Sequence, residues 1–333
     1  MLPSRLLLSD PALRHELAAG LEDPPTPDAS ALAATLARWF GPSTLAVLHY
    51  GSHAQRADPR PESAYDFFVI VDSYRKAYGS LATTVGTSYR PRVATLLSHV
   101  LPPNVIAVKG PEGAPTPLAK CAVLSLRHLR RACSSRPDDH FVAGRLFQYV
   151  QLAWFRDAQS WEATRDAVID VRARSFDWGR AFLPERFDAE TYYRTLLEVS
   201  YSAEIRPEQG ERLDAIASVG RDTVLRGYAL LLQQLATLKL LVSDGKVYRL
   251  AESPGWWLQT RVRLYFERSK LRATARWSKY VALYDDWLDY VLEKISRRSG
   301  VTLELTPRER RHPLIFLWPK AFRYLRSRPQ RDR

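Results

Sequence analysis

Apolar residues in the first part of the chain fall into short, nearly continuous runs, which is the pattern of buried β-strands. One run covers residues 44–50, and a second covers residues 65–71, where Asp66 is the one position that is not apolar. β-Branched residues near 105–108 and 119–125 predict two further strands, on either side of a turn rich in proline and glycine. The pattern therefore predicts a domain with several buried strands.

Helical segments surround these strands. Two helices are predicted over residues 11–20 and 28–40, separated by a proline-rich break, and a third over residues 91–101. Beyond Leu126 the pattern is mainly helical. Residues 241–250 interrupt it with Ser-Asp-Gly-Lys between two apolar arms, which predicts a tight β-hairpin. In a helical context such a hairpin resembles the wing of a winged helix.

Length and composition narrow the class of protein. With 333 residues and 46% hydrophobic residues, the chain is long enough for about two domains and too apolar for wholesale disorder. The longest apolar runs have about five residues, whereas a membrane-spanning helix needs about 20, so no integral membrane segment is expected. The N-terminus lacks the pattern of a secretory signal. Cys121 and Cys133 provide neither a disulfide framework nor a Cys-rich zinc site, which favours a reducing compartment and two buried thiols.

The charge is strongly positive and unevenly placed. The net charge is +13, and residues 261–333 hold 19 Lys and Arg against 8 Asp and Glu. Aromatic residues are interspersed with these cations. This combination suits an interfacial helix on anionic lipid, but it also suits a solvated helical face or an RNA-binding surface. A basic chain of this kind is expected to bind a polyanion.

The first strand delivers Gly51 and Ser52 into a turn, and the second strand carries Asp66 fourteen residues later. Glycine lets the backbone approach a phosphate group, and the following N–H groups and the serine hydroxyl can bind its oxygens. Asp66 can then hold Mg²⁺ against the same triphosphate. His53, four residues after His49, lies at a strand end and not on a helix face, so a helical zinc pair is not expected; His53 is interpreted as a solvent-facing loop residue or a triphosphate contact.

This arrangement resembles the nucleotidyltransferase superfamily that includes DNA polymerase beta, whose signature is Gly-Ser followed by Asp-x-Asp on the next strand. Here the second motif is Ala64-Tyr65-Asp66, so one carboxylate is missing. The motif by itself therefore also allows a degenerate, inactive member of the superfamily, or a common Gly-Ser dipeptide beside a structural aspartate.

Further motifs follow in order over about residues 45–225. They are Tyr-Gly-Ser at 50–52, Asp-Phe-Phe at 66–68 with Val-Asp at 71–72, the strand 118–125, Val-Ala-Gly-Arg-Leu at 142–146, Leu-Pro-Glu-Arg-Phe at 183–187 and Ser-Tyr-Ser-Ala-Glu-Ile-Arg at 200–206. Together they resemble the mitochondrial-type phosphatidate cytidylyltransferases, the translocator assembly and maintenance protein family, which also has bacterial members. In that family the position of Ala64 is not aspartate either.

The resemblance implies a reaction in which CTP and phosphatidic acid give CDP-diacylglycerol and pyrophosphate with Mg²⁺, as a step in phospholipid synthesis. It also implies a peripheral membrane protein, on the cytoplasmic face of a bacterial inner membrane or, in a eukaryote, on the matrix face of the mitochondrial membrane. The chain departs from the family pattern at His53, where the family has glycine, and at Phe147, where it has histidine. Residues 255–333 match nothing in the family.

The metal and phosphate roles follow from the resemblance. Gly51 and Ser52 would hold the β- and γ-phosphates, and Asp66 would bind Mg²⁺. Asp72 is the next candidate metal ligand, although it could equally cap the following helix. Lys120 lies within an otherwise apolar strand, where an unpaired buried lysine is costly; it is a candidate catalytic contact to phosphate, or else a lysine whose amine reaches solvent.

Arg145 follows two small residues and could bind a phosphate through two hydrogen bonds, or pair with a core acid. Tyr201, Ser202 and Arg206 could line the nucleotide or lipid phosphate pocket, or could be a packed tyrosine and a solvated arginine. A phosphate monoester is already ionised near neutral pH, so no general base is required.

The predicted organisation has three parts. Residues 1–155 form an α/β nucleotidyltransferase domain with a mixed sheet, residues 156–255 form a helical, winged-helix-like region, and residues 256–333 form a basic helical region that contacts an anionic membrane surface. The alternatives are a nucleotidyltransferase with a different acceptor, and a non-catalytic protein of the same fold that binds lipid or RNA. The cytidylyltransferase motifs favour lipid over nucleic acid as the partner.

Overall fold

The computed structural model describes residues 7–55, 64–85, 90–109, 117–202, 221–283, 305–306 and 308–309. Contacts divide the chain into two compact units, one formed by Met1–Thr87 with Pro91–Lys279 and the other by Ser88–Arg90 with Tyr280–Arg333. The predicted boundaries at residues 155 and 255 both fall inside the first unit.

The first unit contains a five-stranded mixed sheet. Its strands are β1 Thr44–Tyr50, β2 Tyr65–Val71, β3 Asn104–Lys109, β4 Pro117–Ser125 and β5 Gln151–Phe155, in the order β3-β4-β2-β1-β5. β2 runs parallel to β4, and the other neighbouring pairs are antiparallel. The predicted mixed α and β class is therefore confirmed, and so are the four predicted strands. β5 is an edge strand that the sequence pattern missed.

A second, two-stranded sheet is formed by β6 Leu241–Asp244 and β7 Val247–Leu250. Gly245 in the turn has a φ of 65°, a left-handed conformation that favours glycine in a tight hairpin. The hairpin prediction is confirmed. Tyr248 of β7 forms an isolated bridge with Phe187, which ties the hairpin to the preceding helical region.

Twelve helices of the described residues surround the two sheets. They are α1 Pro11–Ala18, α2 Pro27–Phe40, α3 Ser52–Gln55, α4 Tyr74–Val85, α5 Pro91–Val100, α6 Leu126–Ala132, α7 Phe141–Leu146, α8 Ala158–Ala173, α9 Ser175–Gly179, α10 Ala189–Ser202, α11 Arg221–Thr237 and α12 Trp256–Leu283. Among the described residues, none of these helices is both long and apolar enough to cross a membrane.

One face of the sheet and the later helices share a hydrophobic core. Leu48 and Phe68 from the sheet belong to the same buried cluster as Val168 of α8 and Tyr228 of α11. The opposite face is covered by α2, which packs against β1, β2 and β5. The sheet is therefore enclosed on both sides, which explains why β1 is buried along its whole length and reads as a continuous apolar run.

Little of the second unit is described. Thr306 and Glu309 form a reciprocal pair there: the Glu309 carboxylate accepts a hydrogen bond from the Thr306 backbone N–H at 2.8 Å, and the Thr306 hydroxyl accepts from the Glu309 N–H at 3.3 Å. This is a capping box, which marks the start of a helical turn.

Candidate functional site

The turn after β1 lies directly against the carboxylate on β2. Gly51 has a φ of 83°, and a Cβ atom at this position would lie only 2.6 Å from Oδ2 of Asp66. Only glycine combines this backbone conformation with so close an approach. The structure therefore brings together Gly51, Ser52 at the start of α3 and the carboxylate of Asp66.

Lys120 belongs to the same row of the sheet. Tyr50 on β1 is paired with Asp66 on β2, and Asp66 is paired with Lys120 on β4. Residues paired in register across neighbouring strands point to the same face of the sheet. The Asp66 carboxylate and the Lys120 amine therefore share one face at one end of the sheet.

Lys120 is exposed, which agrees with the alternative of a lysine whose amine reaches solvent and not with a buried lysine. It lies near the start of β4, next to the half-buried start of β2. Because Lys120 is exposed, the free-energy cost of a buried lysine is no argument for a phosphate contact. The remaining argument for such a contact is the position of Lys120 beside Asp66.

Arg145 is connected to this end of the sheet through aromatic rings. Its guanidinium lies 4.0 Å from the centre of the Phe141 ring and donates a hydrogen bond to the Phe141 carbonyl at 3.1 Å. Phe141 meets Phe68 edge-on, with ring centres 6.5 Å apart, and Phe68 stacks on Tyr50 at 4.4 Å. The half-buried Arg145 thus belongs to the same face of the sheet as Asp66.

Small residues let α7 and α10 approach closely. A Cβ at Gly144 would lie 2.8 Å from the Cβ of Ser200, so the predicted Ala-Gly-Arg-Leu and Ser-Tyr-Ser motifs are in contact. The Tyr201 hydroxyl donates to Oε1 of Gln148 at 3.3 Å. Ser202 is exposed, and its hydroxyl donates to a carbonyl of its own helix. Arg206 lies outside the described residues.

Asp72 does not share a site with Asp66, so that part of the prediction is wrong. The two residues lie at opposite ends of β2, about 20 Å apart at the usual rise of a strand. Asp72 is exposed, and its carboxylate lies 3.5 Å from Arg156. It does not cap α4 either, because the hydroxyl of Ser73 accepts the hydrogen bond from the Lys76 N–H.

His49 is a buried residue for which the sequence suggests no role beyond the rejected zinc pair. It points to the sheet face opposite Tyr50, packs against Phe67, and forms a 3.1 Å hydrogen bond between Nδ1 and Oε1 of Gln151. Burial lowers the pKa of His49 to about 4. His53 stacks on Tyr65, with ring centres 3.9 Å apart, so it is a packed residue and not a fully solvent-facing one.

His140 and Asp139, just before α7, were not singled out from the sequence. His140 is fully enclosed, with Nε2 3.1 Å from the Ser200 hydroxyl, and burial lowers its pKa to about 3. Burial alone would raise the pKa of Asp139, but Arg276 and Arg272 hold it below its usual value. Nδ1 of His140 also lies 3.4 Å from the Tyr265 hydroxyl.

Three cations of the basic C-terminal region bind within the protein. Arg272 and Arg276 both bind its carboxylate, and Arg276 also donates to the carbonyl of Pro102 at 2.6 Å. Lys279 is buried and donates to the carbonyls of Leu101 and Pro103 and to the side chain of Asn104. These three cations of α12 therefore bind the protein's own interior and are not available to a membrane surface.

The residues at the sheet end suit a nucleotide-borne Mg²⁺ better than a metal site made by protein alone. Within the described residues, no cluster of three or more His, Cys, Asp or Glu side chains could hold a metal ion. Mg²⁺ is commonly bound through one or two carboxylates together with substrate phosphates and waters. Asp66, half-buried at a strand end beside Gly51, fits that mode as a single carboxylate.

Lowering the pH from 6.5 to 5 is expected to destabilise the fold through His49 and His140. The unfolded state binds protons below pH 6.5, whereas the folded state keeps both rings neutral down to about pH 4 and pH 3 respectively. The contribution of the two neutral rings to the free energy of unfolding is therefore complete above pH 6.5 and falls as the pH decreases, with a limiting slope of about 1.4 kcal/mol per pH unit for each residue. Urea unfolding at several pH values measures this slope.

Asparagine variants test whether the two buried histidines cause this slope of the free energy of unfolding against pH. His49→Asn and His140→Asn should each flatten it, because each removes one of the two buried rings. Equal slopes in the wild-type protein and both variants would contradict the assignment.

No protein-family model matches the chain, and no curated protein matches it. The fold alone defines the class of protein: a mixed α/β protein with a five-stranded mixed sheet. One end of this sheet carries Gly51, Ser52, Asp66 and Lys120.

Proposed function

We propose that this protein is a Mg²⁺-dependent nucleotidyltransferase that transfers the cytidylyl group of CTP to phosphatidic acid, releasing pyrophosphate and forming CDP-diacylglycerol. The observation that carries the proposal is the contact between the Gly51 backbone and the Asp66 carboxylate at the end of two neighbouring strands. The nucleotidyltransferase-type sheet and the winged-helix-like character of the later helices are part of the same proposal.

The Gly51-Ser52 turn is the proposed binding site for the phosphates of the nucleotide. Because Gly51 has no side chain, the turn can lie directly against the Asp66 carboxylate, so phosphates bound by the backbone N–H groups and the Ser52 hydroxyl would lie next to that carboxylate. Asp66 would hold the Mg²⁺ that the nucleotide brings, while Gly51 and Ser52 would hold the β- and γ-phosphates. When bound, this ion neutralises charge on the phosphates and makes the α-phosphorus more electrophilic.

The cations around Asp66 suit the acceptor phosphate. Lys120 lies in the same row of the sheet, and Arg145 belongs to the same face. Two anionic reactants must approach each other, so fixed positive charge reduces their repulsion and orients the attacking oxygen. The phosphate monoester of the lipid is already ionised near neutral pH and attacks without a general base.

The outer side of α12 supports a membrane surface as the place of reaction. Trp257, Leu264 and Leu271 are each at least 65% exposed and recur every seven residues, so they lie on one side of the helix. Val262 and Phe266 on the inner side are buried. Arg261 and Arg268 flank the apolar stripe and remain exposed, an arrangement that suits anionic lipid. The cytoplasmic face of a bacterial inner membrane is the proposed location.

A substrate screen tests the proposal. The protein is incubated with Mg²⁺, one α-labelled nucleoside triphosphate at a time, and either phosphatidic acid vesicles, glycerol 3-phosphate or RNA. Label from CTP that enters the lipid extract as CDP-diacylglycerol is the expected result. Transfer of label from another nucleotide, or to another acceptor, would support nucleotide transfer as the reaction but contradict CTP or phosphatidic acid as the substrate. No transfer with any pair, despite binding of vesicles or RNA, would favour the non-catalytic alternative.

Replacing Gly51 with alanine is expected to reduce nucleotide transfer by about 100-fold, since the added methyl group displaces the Asp66 carboxylate. Gly245→Ala is the matched control: Gly245 also has a positive φ, but a Cβ there meets nothing within 4 Å. It should carry a similar backbone cost of about 1 kcal/mol and leave transfer rates unchanged. Initial rates and unfolding midpoints of both variants provide the comparison. Equal losses of activity in the two would contradict the assignment.

A further inference from the structure

A small cavity lies between the segment after α6, the helix α9 and the first half of α12. Its volume is about 140 Å³, which is below the size of a typical whole-ligand pocket and sufficient for one charged group. Among the described residues, no side chain predicted for nucleotide or metal binding contributes to it. The lining residues are Ser135, Arg136, Pro137, Asp177, Trp178, Arg180, Leu258, Arg261, Val262 and Tyr265.

Three arginines come together around this cavity, one from each of its three walls. They are Arg136, Arg180 and Arg261, and in the part of the chain that the structure describes, none of them is ion-paired with a carboxylate. This distinguishes them from Arg272 and Arg276, which bind Asp139.

Arg180 gives the clearest sign that a partner fits here. Its Nε is buried and has no hydrogen-bond partner within the described residues. A buried donor without a partner is costly, and an anion in the cavity would remove that cost. Asp177, the one acidic residue among the described lining residues, leaves the three arginines in excess.

Apart from the arginines, Ser135 and Asp177, the lining is apolar and aromatic. Trp178 stacks on Tyr265 with ring centres 4.3 Å apart, and Leu258 and Val262 belong to the first turns of α12. One turn before Arg261, Trp257 is 68% exposed. The cavity thus combines guanidinium groups with apolar and aromatic side chains.

We propose that this cavity binds a phosphate monoester, as an anion-binding site separate from the one at Gly51 and Asp66. Guanidinium groups bind phosphate through paired N–H donors, and three of them match the charge of a dianionic monoester better than that of a single carboxylate. The same group can be presented by the headgroup of phosphatidic acid or by a soluble phosphate ester. The inference does not depend on nucleotide transfer.

Vesicle binding by the full-length protein tests the site. Phosphatidylcholine vesicles containing phosphatidic acid, a monoester, are compared with vesicles of equal surface charge containing phosphatidylglycerol, a diester. The wild-type protein is expected to prefer phosphatidic acid. Arg136→Gln and Arg261→Gln should each weaken binding to those vesicles by about tenfold and remove the preference.

Two exposed arginines outside the cavity serve as matched controls. Arg130→Gln lies on α6 near Arg136, and Arg263→Gln lies on α12 near Arg261. Both should retain the preference for phosphatidic acid. If the control and cavity variants lose binding equally, general surface charge explains the attachment and the proposal is wrong.

Glycerol 3-phosphate distinguishes the two sources of the group. Titration calorimetry with this soluble ester should show binding to the wild-type protein and to Asp66→Asn, and a loss in Arg136→Gln, if the site accepts a free phosphate. Binding to vesicles alone would assign the site to the lipid headgroup. Absence of both the vesicle preference and the soluble binding would overturn the proposal, whatever the outcome of the nucleotide-transfer assays.

Discussion

Asp66→Asn is expected to lower Mg²⁺-dependent pyrophosphate release by about 1000-fold without unfolding the protein. The amide keeps the shape of the half-buried side chain, so its contact with Gly51 is preserved, but the negative charge that would hold Mg²⁺ is lost. Initial rates at saturating CTP and Mg²⁺ measure the effect. Thermal unfolding shows whether the variant remains folded.

Asp72→Asn is the matched control for this variant. Asp72 is the other carboxylate of the same strand motif, but it is exposed and interacts with Arg156 at the far end of β2. Its replacement should leave the rate within about twofold of wild type, as is usual for a surface change away from the site. Comparable losses in the two variants would mean that the Gly51–Asp66 contact is not the reactive site.

Arg172→Met is expected to cost about 3–5 kcal/mol of unfolding free energy, the largest stability effect of any single change considered for this chain. Arg172 is 2% exposed and donates hydrogen bonds to four carbonyl oxygens, at distances of 2.7–2.9 Å. These oxygens belong to Leu17, Ala19, Leu146 and Gln148. Methionine fills the volume but leaves all four buried acceptors without this donor.

Urea unfolding measures this loss, and Arg194→Met is a suitable comparison. Arg194 is 53% exposed and pairs with Glu198 one turn along α10. Such exposed pairs contribute about 0.3–0.5 kcal/mol, so this variant should be nearly as stable as wild type. If Arg172→Met costs no more than Arg194→Met, the four carbonyl groups find other partners and the buried arginine is not a structural centre.

The sheet was largely predictable because its strands are buried on both faces. Continuous apolar runs over β1 and β2 mark such strands directly, and the Gly-Ser turn and Asp66 stand out as exceptions within them. β5 was missed because it is a five-residue edge strand that follows helical segments, where neither length nor alternation distinguishes it.

Within the candidate site, only those residue positions that strand pairing sets could be predicted from the sequence. The alignment of Asp66 with Lys120 follows from the pairing of β2 with β4. The exposure of Lys120 depends instead on how far the helices packed on the sheet extend, which the sequence pattern does not show. Asp72 was assigned to the metal because it belongs to the same motif. A strand places residues six positions apart at opposite ends of the element, and the motif does not show this.

The binding partners of the basic side chains could not be predicted from the charge of the sequence. Arg272 and Arg276 look like their exposed neighbours in the sequence, yet both bind Asp139, and Lys279 binds backbone carbonyls far away in the chain. Such long-range partners leave no local pattern. By contrast, the apolar stripe of Trp257, Leu264 and Leu271 follows the helical repeat, so its position on one side of a helix could be derived from spacing alone.

The initial rate of pyrophosphate release by the wild-type protein with CTP, Mg²⁺ and phosphatidic acid vesicles tests the proposed nucleotide transfer most directly. Release is expected to require all three components and to equal the CDP-diacylglycerol formed. Release that proceeds equally without phosphatidic acid, or no release in the complete mixture from folded protein, would contradict the proposal that the Gly51–Asp66 site transfers a nucleotide to lipid.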